Sequence, residues 1–135
     1  MAVRHQRAGR STFLTVCEGG TVRSVGLAFM LKTRGFDALA ASWRWNPPET
    51  LDLLCRWATR IIVVQPEFVE KISPAHRKKI TVYDVGPDTY GNPLSFALCF
   101  KFLKYMAQDR RMPGLWQKKV RAEVRKLERQ KATSA

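Results

Sequence analysis

A cysteine, an arginine and a serine stand in tight order at residues 17, 23 and 24, inside the stretch FLTVCEGGTVRSVGLAFML. An apolar run ends at Cys17. Glu18, Gly19, Gly20, Thr21 and Val22 then lead to Arg23 and Ser24, where a helical pattern begins. A loop running from a strand end to a helix start is an anion site: main-chain N–H groups converge there, the helix N-terminus adds partial positive charge, and glycines admit close approach. Phosphate is the natural guest. The planar guanidinium of Arg23 can hold two of its oxygens at once, a geometry lysine cannot copy. The same donors favour thiolate at Cys17, and thiolate is the nucleophile. Ser24 can donate to that sulfur or assist it as a leaving group. These parts describe covalent phosphoryl transfer. Cys17 attacks phosphorus in line, a cysteinyl-phosphate forms, and water releases it. Arg23 and the amides of residues 18–22 would stabilise the equatorial oxygens in both steps. This chemistry requires no metal and no other cofactor.

The loop lacks an acid for the leaving oxygen, so the acid must come from another loop at the same edge. Two aspartates in YDVGPDTYGNP qualify. Asp84 ends an apolar run and Asp88 lies in the turn beyond it, and the residue types alone leave both open. Trp43 and Trp45, in ASWRWNPP, stand after the second apolar run, at the same edge as Cys17. His5 and His76 have no partner in sequence that suggests catalysis, and His76 is expected in an exposed basic turn. Trp57, Phe96 and Phe100 are expected in the core.

The elements that must position these groups follow from periodicity. TFLTVC, FDALAAS, RIIVVQ and KITVYDV read as strands, alternating with helical stretches. The first helix runs from about Ser24 to Arg34 and ends at Gly35. The second follows Asn46, with Pro47 and Pro48 in its first turn. PEFVEKISPAHRKK is split by Pro74 into two short pieces. NPLSFALCFKFLKYMAQ is a long helix starting at Asn92 and Pro93 and broken by MPG at 112–114. Such alternation predicts right-handed crossovers and a doubly wound α/β fold of three layers around a parallel four-stranded sheet, with ligands at the carboxyl ends of the strands.

Composition bounds the rest. The 135 residues, 45% of them apolar, suit one domain, and no apolar stretch is long enough for a membrane span or a secretory signal. A cytoplasmic protein is expected. Three cysteines at wide spacing argue against a disulfide framework and a zinc site. The net charge of +13 sits at the ends: residues 1–16 carry three basic and no acidic residues, and residues 101–135 carry eleven basic against three acidic. The chain therefore divides into a basic N-terminal arm (1–11), the α/β domain (12–111) and an appended basic helix (112–135). The basic ends admit an acidic protein or nucleic acid as partner. In the appended helix, Leu115, Val120, Val124 and Leu127 share one side. Docking on its own domain, on a partner helix or on an anionic surface are all open to it.

Cys-x5-Arg-Ser after the first strand, with this order of elements, resembles the low-molecular-weight protein tyrosine phosphatases over most of residues 11–109. The family's loop reads Cys-x-Gly-Asn-x-x-Arg-Ser. Gly19 and Ser24 match, and Gly20 replaces the asparagine that braces the loop. CRWATRIIVVQPEFVEKI is similar to the segment around the family's third strand. YGN at 90–92 matches the end of its acid loop, Asp-Pro-Tyr-Tyr-Gly-Asn, with DVGPDT standing before it. Alignment on the strand favours Asp84 as the acid, whereas alignment on YGN favours Asp88, the preferred of the two. The resemblance implies a flavodoxin-like sheet of order 2-1-3-4 and hydrolysis of a phosphorylated protein or a small aryl phosphate, and it makes Trp43 or Trp45, with Tyr90, candidates for aromatic walls around a substrate ring. A weakly active or inactive phosphate-binding module is the alternative. Arsenate reductases of the same fold need two further cysteines as a disulfide relay. Cys55 and Cys99 fall within helices, where small core residues are expected.

Overall fold

The computed structural model describes residues 11–133, so the N-terminal basic arm up to residue 10, with His5, lies outside the described residues. The order of elements is β1 (Thr12–Cys17), α1 (Arg23–Thr33), β2 (Asp37–Ser42), α2 (Pro48–Trp57), β3 (Arg60–Val63), two 3-10 helices (Pro66–Lys71 and Pro74–Lys79), β4 (Ile80–Val82), α3 (Phe96–Gln108) and α4 (Gly114–Thr133). The strands pair in parallel in the order β2-β1-β3-β4, the doubly wound sheet expected from the alternation and the resemblance. β1 and β3 are central, and β1 from Phe13 onward and all of β3 are buried because helices cover both faces of a parallel sheet. Leu27 and Leu31 of α1 and Leu98, Phe102 and Met106 of α3 close the core against the sheet. Close approach of α1 to the segment before α3 depends on Gly26, where an added Cβ would lie 2.5 Å from the Pro93 carbonyl oxygen. Among the described residues no helix is long and apolar enough to cross a membrane.

Several local expectations are corrected. The long helix starts at Phe96 rather than at Asn92 and Pro93, because Ser95 caps it by accepting from Leu98 N–H, while Asn92 closes its own turn on Leu94 N–H at 2.7 Å. Phe96 is therefore the first helical residue and stands exposed; Trp57, the last residue of α2, does too. Phe100 is half-buried. His76 is buried rather than exposed, since Asp52 of α2 takes its Nε2 at 2.7 Å. Leu115 of the appended helix points to solvent. The rest of α4 docks on its own domain: Val120 and Val124 are buried, Trp116 packs on Phe36 with ring centroids 5.4 Å apart, and Arg34 holds Glu123 with two bonds of 2.7 and 2.8 Å.

A buried polar network fixes the turn between α3 and α4 to the sheet. Arg60, at the start of β3, donates to Asp109 at 2.7 Å, the Tyr83 hydroxyl donates to the same carboxylate oxygen at 2.6 Å, and the Arg60 and Asp109 side chains are only 8% and 6% exposed. Burial opposes ionisation of Asp109, but hydrogen bonds from Tyr83, Arg60 and the Arg111 N–H outweigh it and hold the carboxyl below its ordinary range. Asp109→Asn strands a buried guanidinium, and we expect a loss of about 3–5 kcal/mol in urea unfolding at pH 7. With the folded pKa depressed, the native contribution is complete above about pH 4 and fades as pH falls through the lower folded value, so the gap between wild type and variant narrows in acid.

Candidate active site

Cys17 ends β1 in register with Ser42, the last residue of β2. Beyond it the chain curls back. Gly20 N–H donates to Cys17 Sγ at 3.0 Å, and Ser24 Oγ lies 3.0 Å from the same sulfur. A thiolate accepts from both. α1 starts at Arg23 with no side-chain cap at Val22. The N–H groups of its first turn, which have no intrahelical partner, thus stay open to an anion beside the sulfur. Thr15 steadies this corner from beneath by donating to the Ser24 carbonyl at 2.7 Å.

Arg23 is 2% exposed. Its Nη1 donates to Gln65 Oε1 at 2.5 Å and to the Gly86 carbonyl at 2.9 Å, and its guanidinium lies 5.5 Å from the Phe68 ring centroid. Its Nε is buried without a protein partner. A buried cationic donor left unmatched is costly, and an anion in the loop would relieve that cost. The arginine also ties the loop that carries both aspartates to the end of β3. Gln65 and Phe68 were not anticipated from sequence; the one available signal was their position just after a strand at the ligand-binding edge.

Glycine at position 20 has a definite cause. Its φ is +70°, and an added Cβ would lie 3.0 Å from Ser42 Cβ and 3.2 Å from Ser42 N. The loop presses directly on β2. Its brace is Ser42, whose hydroxyl donates to the Glu18 carbonyl while accepting from Trp45 N–H at 2.7 Å and Arg44 N–H at 3.1 Å. Ser42 thus supplies a brace in a loop that lacks the family's asparagine, and it too was missed in sequence. The Glu18 carboxylate turns outward, paired with Arg44 at 2.7 Å. Gly19 and Val22 are half-buried and Thr21 is exposed along the same turn.

The two aspartates differ in their engagements. Asp84 Oδ1 accepts from Gly86 N–H at 3.1 Å, shaping the turn, and the residue lines a 340 Å³ cleft with Lys101, Lys104, Tyr105 and Gln108. Asp88 is exposed farther along, in a turn closed by Thr89 N–H on the Pro87 carbonyl at 2.9 Å. Tyr90 donates to the Val85 carbonyl and accepts from Lys101 at 2.8 Å, which folds the loop on itself. Trp43 is half-buried against Phe68, ring centroids 5.5 Å apart, with the Lys71 ammonium 4.5 Å from its own. Trp45 projects into solvent under Arg44. Cys55 is buried in α2 and borders a small cavity with His76, whereas Cys99 is half-buried and faces α1 and α4.

This architecture is that of tyrosine phosphatases of the low-molecular-weight kind. The chain aligns with the tyrosine phosphatase AmsI of Erwinia amylovora at a TM-score of 0.58 and 16% identity, over 78% of this chain and 97% of that one. It aligns with Wzb of Escherichia coli K30, in complex with phosphate, at 0.56 and 14% identity, over 71% and 96%. Vibrio vulnificus Wzb, in complex with benzylphosphonate, aligns at 0.52 and 18% identity, over 87% and 99%. No family model matches the sequence, and no curated protein matches it. At this identity the likeness is one of fold.

Two outcomes test the cradle independently of catalysis. Inorganic phosphate is expected to slow alkylation of Cys17 by iodoacetate, read by peptide mass mapping at pH 7. Cys55 is expected to stay unmodified, since burial and then the nearby Asp52 push its thiol up to about 11. Gly20→Ala should weaken phosphate binding about tenfold or more in calorimetry, because the substitution strains a left-handed residue and pushes the loop off β2.

Proposed function

We propose that this protein is a cysteine-dependent phosphomonoester hydrolase acting on phosphotyrosine or another aryl phosphate. The observation that carries the reading is the convergence of a loop N–H and a hydroxyl, each 3.0 Å from Cys17 Sγ, at an uncapped helix start whose first residue is a buried arginine with an unpartnered Nε. The fold likeness to tyrosine phosphatases supports it.

In the proposed reaction the phosphoryl group enters the loop with its oxygens on the residue 18–23 amides and the free donor edge of Arg23. The Cys17 thiolate attacks phosphorus opposite the leaving oxygen, an S–P bond forms as the P–O bond breaks, and the acid transfers its proton to the departing phenolate. Water then attacks the cysteinyl-phosphate, giving its proton to the same carboxylate, and the sulfur leaves as thiolate while Ser24 donates to it. Arg23 and the loop amides match the charge on the equatorial oxygens in both steps. We assign the acid to Asp88, because Asp84 is engaged in its own turn and borders the cleft against α3. Trp43, Trp45 and Tyr90 are the aromatic groups available to a substrate ring. The placement of Cys55 in α2 and Cys99 on the α4 side favours hydrolysis over a disulfide relay to reduce arsenate. A mechanism resting on a free thiol fits a compartment that keeps thiols reduced, the cytoplasm.

Hydrolysis of p-nitrophenyl phosphate in the presence of a chelator, abolished by Cys17→Ser, is the expected result. Absence of turnover from pH 5 to 8 with phosphate binding retained would instead establish a binding module. Asp88→Asn should cost about 100-fold or more with poor leaving groups and much less with p-nitrophenol. The same pattern in Asp84→Asn, with Asp88→Asn near wild type, would reverse the assignment.

A further inference from the structure

The chemistry of the phosphate loop makes no use of the basic charge gathered at the C-terminal end of the domain. Residues 101–131 hold eleven basic side chains, and all eleven are exposed. Two of the three acids in the same stretch are turned to internal bonds: Asp109 is buried against Arg60 and Tyr83, and Glu123 is held by Arg34. Glu128 is exposed. Residues 17–100, by contrast, hold ten basic and eight acidic residues, so the excess charge is concentrated here.

Docking of α4 fixes where its charges point. Trp116, Val120, Val124 and Leu127 face the domain, so the helical period places Lys118, Arg121 and Arg125 on the opposite side, with Lys119 and Lys126 along its flank. These five cations span roughly 12 Å of helix. Two of them are positioned by local contacts: Arg121 Nε donates to the Ala107 carbonyl at 3.0 Å, and the Lys119 ammonium lies 4.9 Å from the Trp116 ring centroid.

What this side of α4 lacks restricts the partner. Its one large apolar side chain is Leu115, in the first turn. An acidic protein would need apolar or aromatic anchors that shed water at the centre of the interface. A helix lying in a bilayer needs a free apolar face, and that of α4 is docked on its own domain. A single nucleic-acid strand stacks its bases on aromatic platforms, and this side carries none. The backbone of a duplex asks only for spaced cations, because release of its condensed counterions supplies the affinity.

We propose that the outward side of α4 binds the phosphodiester backbone of a nucleic-acid duplex without reading its bases. The inference uses no residue of the phosphate loop and does not depend on the phosphatase reading.

The test uses the full chain and a fluorescein-labelled DNA duplex of about 20 base pairs, read by fluorescence anisotropy. Saturable binding is expected at about 50 mM NaCl, with log K falling against log[salt] at a slope of about −4 or steeper. A duplex of shuffled sequence should bind equally well. The triple variant Lys118→Ala, Arg121→Ala, Arg125→Ala should weaken binding about tenfold or more and make the slope shallower by about 3. The charge-matched control Arg56→Ala, Arg77→Ala, Lys78→Ala, at exposed positions in α2 and the second 3-10 helix, should cost about threefold or less. Glu128→Lys adds a cation three residues beyond Arg125 and should tighten binding about threefold, a gain that misfolding cannot produce. Equal losses in the two triple variants, no gain in Glu128→Lys, or no saturable duplex binding would overturn the proposal. So would poly-L-glutamate competing as well as the duplex at equal charge, the result expected of an acidic protein site, or binding to phosphatidylglycerol vesicles without duplex binding.

Discussion

The site depends on a single buried cation. Arg23 leaves the start of α1 and runs inward, where its Nη1 is shared between the Gln65 side chain and the Gly86 carbonyl, so one guanidinium joins the ends of β1, β3 and β4. Burying that charge is tolerable because it is partnered: charge-assisted bonds run to two neutral oxygens and an aromatic face lies beside it at Phe68, although its Nε has no protein partner. The Cys17 thiol, the loop of residues 18–22 and the loop that carries Asp84 and Asp88 are linked because each is tied to this side chain or to a residue beside it. A lysine could match the charge but not the geometry, since an ammonium has no rigid planar fork to direct donors to opposite sides.

A second constraint is the pressure of the loop on β2. Gly20 sits against Ser42 with no room for a Cβ, and the Ser42 hydroxyl closes the contact by donating to the loop and accepting from the segment that carries Trp43 and Trp45. Loop shape and the placement of the Trp43–Trp45 segment are thereby coupled through one buried hydroxyl. Replacing the brace expected at position 20 with glycine therefore does not leave the loop unsupported. The carboxylate at Glu18, next to Cys17, is drawn outward by Arg44.

Away from the site, the Arg60, Asp109 and Tyr83 network and the docking of α4 hold the remaining helices on the sheet. α4 spends much of its apolar side on its own domain, through Trp116, Val120 and Val124, and what it leaves uncovered is shared with α1 and α3. Basic charge on this helix thus belongs to the outer surface of a folded unit.

The amino-acid order alone determined the strands, the alternation that makes the sheet parallel, and the place of Cys17 and Arg23 at its ligand-binding edge, because hydrophobic period and loop chemistry are local properties. It also offered Asp84 and Asp88 as the two candidates for an acid. The partners that meet across the fold were not legible. Ser42, Gln65 and Phe68 lie 25, 48 and 51 positions from Cys17 in the chain, and nothing in their own neighbourhoods marks them. Burial also escaped sequence reading where it depends on what lies opposite: His76 is enclosed by Asp52, whereas Phe96 and Trp57 stand exposed at helix ends. Strand register and helix packing decided these, since they bring together groups that sequence distance keeps apart.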